Sequence, residues 1–197
     1  MSDPLERWPM AELPDLRDAL LAEYADPGRG YHDTLHLTEV LDRLDELTAA
    51  GVGFDTTVAA LAAWFHDAVY DGERDAEERS AVWAEEALTG TPYAAEVARL
   101  VRLTETHDPA ADDHAGQALC DADLAILASA QERYDAYVAG VRREYAYLPD
   151  TDFASGRAAV LKDLARRAQL FHTAYGREHW EPAARANLER ELTRLQV

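Results

Sequence analysis

The ten residues from Thr56 to Phe65 read Thr-Thr-Val-Ala-Ala-Leu-Ala-Ala-Trp-Phe and contain no charged side chain. A helix that is apolar on every side must be enclosed, and this run falls well short of a membrane span. The rest of the chain is therefore expected to pack around a central helix running from Thr56 to about Val69. That helix ends in His66-Asp67 and the Asp71-Gly72 turn. Polar groups delivered into an apolar interior need hydrogen-bond or metal partners, because each one left unpaired costs about 1–3 kcal/mol.

The remaining segments also read as helices. Leu16, Leu20, Leu21 and Tyr24 recur at helical spacing after Pro14, which suits a first helical turn. Asp26-Pro27-Gly28-Arg29-Gly30 breaks that helix and leads to Tyr31. Leu37, Val40, Leu41, Leu44 and Leu47 form the face of a second helix, ended by Gly51 and Gly53, and Asp55 is placed to cap the third. Further helices are expected at about 75–89, 92–106, 116–129, 131–147, 152–174 and 178–195, with a polar loop at 107–115. No alternating strand pattern, repeat or linker interrupts them. At 197 residues the chain can bury a core without disulfides. The expectation is one all-α domain over 1–197.

The formal net charge of −19 excludes nucleic acid as a bulk partner and an anionic membrane as a surface, since both demand clustered Lys and Arg. A small phosphorylated substrate stays open, because a metal and one or two arginines neutralise it locally. The single cysteine, Cys120, points to a reducing compartment. The N-terminus shows no basic-then-apolar leader, so a cytoplasmic protein is expected.

Three fragments carry chemistry. His32 and His36 share a helix face if a helix begins near Tyr31; otherwise they are two solvated histidines. His66 and Asp67 point roughly 100° apart, so both reach one ion only where other helices approach. Asp121 and Asp123 sit in an apolar run, and two residues apart on a helix they face different ways. One is expected to be a ligand and the other a cap or an acceptor. Imidazole and carboxylate together hold divalent metals without cysteine.

In that order, Tyr31-His32-Asp33-Thr34-Leu35-His36, Trp64 to Asp71, Glu77-Glu78-Arg79-Ser80-Ala81 and Asp121 to Leu127 resemble the HD-domain superfamily of metal-dependent phosphohydrolases. Within it they look like one bacterial branch of predicted phosphohydrolases. The resemblance continues through Arg142-Arg143-Glu144-Tyr145 and Gly156 to Leu161, so it spans most of the chain. It implies an HD-like helical bundle with a buried metal site and the ligands His36, His66, Asp67 and Asp123. The Tyr31–His36 stretch is also similar to the His-Asn-x-x-His stretch of cyclic-nucleotide phosphodiesterases, with Asp33 where asparagine is usual. That similarity implies His32 as general acid.

Around the metal, the resemblance implies three more roles. Asp71 would orient the attacking water, although its place before Gly72 equally suits a turn. His107 would face the pocket, its other reading being a helix C-cap. Arg157, and with it Arg79, would contact phosphate, although surface salt bridges are the commoner fate of arginine. Glu78 is also placed to pair with Arg79. The function implied is hydrolysis of a phosphomonoester or phosphodiester in a small anionic metabolite or nucleotide. It would use one divalent ion (Mg, Mn, Fe, Co, Ni or Zn), with room for a second metal. Two alternatives are a di-iron oxygenase of the same superfamily and a non-catalytic metal-binding sensor or interaction protein. Oligomeric state stays open.

Overall fold

The computed structural model describes residues 3–195, and among these no strand occurs. Ten α-helices run in chain order: α1 (Pro14–Tyr24), α2 (Thr34–Ala49), α3 (Thr56–Phe65), α4 (Ala76–Ala87), α5 (Ala94–Leu103), α6 (His114–Leu124), α7 (Gln131–Glu144), α8 (Asp150–Arg166), α9 (Ala174–His179) and α10 (Glu181–Leu195). Short 3-10 turns cover Pro4–Arg7 and Ala125–Ala128. No helix among the described residues is long and apolar enough to cross a membrane.

The uncharged helix is central, as its sequence demands. Asp55 caps α3 by accepting from the Val58 N–H at 3.0 Å. Val58, Leu61, Trp64 and Phe65 are all buried, and α3 packs against α2, α4, α5 and α6. Trp8 stands edge-on to Trp64 with ring centroids 5.2 Å apart, so the N-terminal segment closes one flank.

The helix stops at Phe65, before the expected Val69, because residues 67–69 bond to other parts of the chain. The buried Arg29 donates to the carbonyls of Asp67 (2.7 Å) and Ala68 (2.9 Å), which anchors this stretch beyond the helix end. The Ser80 hydroxyl accepts from the Val69 N–H at 3.0 Å.

The C-terminal third departs further from the periodicity. The pattern predicts one helix over 152–174, yet α8 ends at Arg166 and 167–173 runs irregularly. Acidic side chains take up its N–H groups. Glu181 accepts from Leu170 and Phe171, and Asp121 accepts from His172 and Thr173. Bonds to distant carboxylates replace the helical ladder there. The helix expected over 178–195 begins at Glu181, after the break at Trp180 that separates it from α9. The expected loop at 107–115 ends early, since Asp113 caps α6 and His114 is its first, exposed residue.

Candidate metal centre and the cavity it faces

Asp33 caps α2 by accepting from the N–H groups of Leu35 (2.9 Å) and His36 (3.2 Å). It therefore sets the direction of the helix and not the chemistry of the site. The first turn of α2 carries His36 inward, where it is 1% exposed. At the end of α3, His66 places Nδ1 2.7 Å from the Ala63 carbonyl. A carbonyl only accepts, so this nitrogen carries the hydrogen and Nε2 turns its lone pair to the interior.

The two Nε2 atoms lie 3.0 Å apart. Asp67 Oδ2 is 3.2 Å from His36 Nε2 and 3.0 Å from His66 Nε2. Asp123, near the end of α6, brings Oδ1 within 3.3 Å of the first and 3.8 Å of the second. Around an octahedral ion with bonds of about 2.1 Å, adjacent ligand atoms stand about 3 Å apart. The separations fit that requirement, and so does the donor set of nitrogen and oxygen. His36, His66 and Asp67 could together hold a metal ion.

The electrostatics are those of a site made for positive charge. Burial disfavours protonation of His36, yet hydrogen bonds to Asp123 and Asp67 outweigh it and lift the imidazole to about 10. Burial is likewise overcome at His66, raised chiefly by Asp67. Both carboxylates run the other way. Burial would raise Asp67, but His66, His32 and His36 hold it well below the usual range. Burial opposes ionisation of Asp123 too, and His107 and His36 hold it low. Two carboxylates in a buried cluster stay ionised only where protons or a cation balance them.

The neighbouring aspartate has a different role. Asp121, fully buried and two residues before Asp123, accepts from the N–H groups of His172 (2.6 Å) and Thr173 (2.8 Å) and from the Thr173 hydroxyl (2.7 Å). Burial raises its carboxyl despite these donors. It anchors the turn before α9 so closely that a Cβ on Gly176 would stand 2.7 Å from Asp121 Oδ2.

His107 faces inward. Its N–H donates to the Leu103 carbonyl at 2.9 Å, closing α5, and it adopts the left-handed region at φ +50°. From there Nε2 reaches Asp123 Oδ2 at 2.8 Å, so the C-cap geometry is what aims the ring. Asp123 thus meets imidazoles on both carboxylate oxygens.

His32 is held from behind by Glu144, a residue whose role the sequence does not announce. Glu144, the last residue of α7, points Oε1 at the N–H groups of Gly30 (2.9 Å), Tyr31 (2.7 Å) and His32 (2.9 Å). Its Oε2 lies 2.9 Å from His32 Nδ1. Burial works against its charge, but His32 and those backbone donors bring the carboxyl down to about 2. The His32 ring stacks on Tyr70 with centroids 4.0 Å apart. The approach needs two glycines: a Cβ on Gly140 would stand 2.6 Å from the Gly30 carbonyl oxygen. A carboxylate closing a helix in Arg-Arg-Glu-Tyr is visible in the sequence, but its partners lie more than a hundred residues away.

Four expected roles differ. Asp71 and Arg79 form a two-pronged ion pair, both bonds 2.7 Å, on the exposed side of the turn, and neither lines the cavity. Turn chemistry and mutual charge account for both. Glu78 binds Arg102 instead of Arg79. Arg157 does line the cavity, but its guanidinium lies 2.8 Å from Glu191 and over the Tyr137 ring. Its charge is already balanced.

His32, Asp67, His107 and Asp123 line a cavity of about 850 Å³. Tyr31, Ile126 and Tyr137 also line it, as do Phe153, Val160 and Leu164 of α8. No family model, curated protein or solved structure matches this chain.

Proposed function

We propose that the chain is a metal-dependent phosphohydrolase of the HD type, acting on a phosphate ester of a small metabolite. The observation that carries this reading is the convergence of His36 Nε2, His66 Nε2 and Asp67 Oδ2 within 3.2 Å of one another, with Asp67 also lining a cavity of about 850 Å³. Asp123 would complete a four-ligand set, leaving open positions for water and a phosphoryl oxygen. A divalent ion held there supplies Lewis acidity and a water of lowered pKa.

The chain's own residues supply the rest. Glu144 holds the His32 ring by accepting at Nδ1, so Nε2 is the atom that carries a proton towards the leaving oxygen. Stacking on Tyr70 limits rotation of that ring. His107 steadies Asp123 from the side away from the imidazole pair.

The test is metal content by elemental analysis together with phosphate release from a panel of phosphoesters. One ion per chain and metal-dependent release are expected, both lost in His36→Ala. Stoichiometric metal with no phosphate released from any ester overturns the hydrolase reading. One observation favours a second reading. Asp123 reaches His36 through Oδ1 and His107 through Oδ2, as a carboxylate bridging two metals would. Two irons per chain, with oxygen consumption, would support the oxygenase alternative.

A further inference from the structure

The apolar stripe of α8 is only partly covered: Phe153 and Leu164 are half-buried against the core, and Val160 between them is exposed. Phe153, Gly156, Val160 and Leu164 recur at steps of three and four and all line the cavity. Only Leu161 of this helix is buried, and α8 leans on α10 instead of on the central helices. Val160 is 53% exposed and lines the same cavity as the candidate ligands Asp67 and Asp123. The cavity therefore has an apolar wall continuous with the ligand cluster.

The charges around that wall are one-sided. Glu77, Glu105, Asp152 and Asp163 line the cavity along with the two candidate ligand aspartates. The two cations that line it are occupied. Arg157 is held by Glu191 at 2.8 Å. Arg167 is turned to the carbonyls of Thr106 (3.1 Å) and His107 (3.3 Å). A second phosphate, or a carboxylate remote from the reacting group, would meet carboxylates with no unengaged cation to offset them.

We propose that the organic part of the substrate is an apolar alkyl or aryl group with no negative charge of its own, seated along the α8 stripe. The only anion the site accepts is then the reacting group at the metal cluster. Nucleoside polyphosphates are excluded by this arrangement. The inference rests on the phosphohydrolase reading and narrows its substrate class.

Calorimetric titration of the manganese-loaded protein with phosphonates, which cannot be hydrolysed, tests it without turnover. Hexylphosphonate should bind roughly tenfold or more tightly than methylphosphonate, since burial of each added methylene is favourable. With 6-phosphonohexanoate, which ends in a carboxylate, that gain should disappear. Val160→Glu should abolish the preference for the hexyl chain, read as the ratio of hexylphosphonate to methylphosphonate affinity in the variant. This position is exposed, so the substitution leaves the core intact. Equal affinity for the three probes, or an unchanged preference in Val160→Glu, overturns the inference while the hydrolase reading stands. If none of the probes binds and no ester is hydrolysed, the functional reading falls, and the inference with it.

Discussion

Where α2, α3 and α6 meet, the cavity floor is buried and cross-linked. His36 and His66 are 1–2% exposed, the Ala63 carbonyl fixes the tautomer of His66, and Asp121 ties the end of α6 to the turn before α9. α8, which lines the same cavity, buries a single residue and shows Phe153, Val160 and Leu164 to it. Groups that need fixed separations sit where close packing leaves them one arrangement. Phe153 and Leu164 are half-buried against the core, whereas Val160 between them is exposed, so Val160 can change with least disturbance of the cluster. On the proposed reading, chemistry and selectivity would fall to regions of different stability.

The sharpest break of that comparison lies within the floor, between two aspartates on one helix. Asp121→Ala should cost about 3 kcal/mol or more in urea unfolding, because it leaves three buried donors without an acceptor. Its folded fraction should still bind metal. Asp123→Ala should do the reverse, weakening metal affinity by roughly a hundredfold or more with a smaller change in stability, since even outer-shell substitutions cost about 10–100-fold. Loss of metal in Asp121→Ala, measured on folded protein, would break the division of labour.

A smaller effect is expected where floor and wall join. Glu144→Gln should cost about 1–3 kcal/mol at neutral pH, through weaker bonds to Gly30, Tyr31 and His32. The pH dependence has a definite sign. The folded-state carboxyl is lowered from 4.5 to about 2, so its stabilisation is complete above the unfolded value and fades as pH falls towards 2. Acid unfolding of Glu144→Gln should therefore be flatter than wild type between those values. The smallest effect belongs to the wall: Val160→Ala should shift the unfolding midpoint by no more than about 0.5 kcal/mol equivalent. A loss several times larger would mean that α8 belongs to the rigid core.

The helical character, the central α3 and the Asp55 cap were legible because they depend on neighbours a few residues away. Residue type and context marked His66, Asp67, Asp121 and Asp123 as polar groups in apolar surroundings, but they left Asp121 and Asp123 undivided, and the choice of Asp123 came from resemblance. Helix ends were harder. α8 stops at Arg166 because Glu181 and Asp121 take the N–H groups of 170–173, and no local propensity announces that. Arginine was the least legible. Arg29, Arg79 and Arg157 look alike in sequence, yet one binds carbonyls at the metal turn, one closes an exposed ion pair and one is neutralised by Glu191.

By itself the sequence determined an all-helical chain with an enclosed central helix and the inventory of possible ligands, since hydrophobic periodicity and the cost of burying charge act locally. Only the tertiary structure decided the partners. It set Asp123 against the imidazoles and Asp121 on backbone donors, put Glu144 behind His32 and drew Asp71 away to Arg79. Hydrogen bonds and ion pairs act over about 3 Å, and whether two distant residues come that close depends on how all the helices pack.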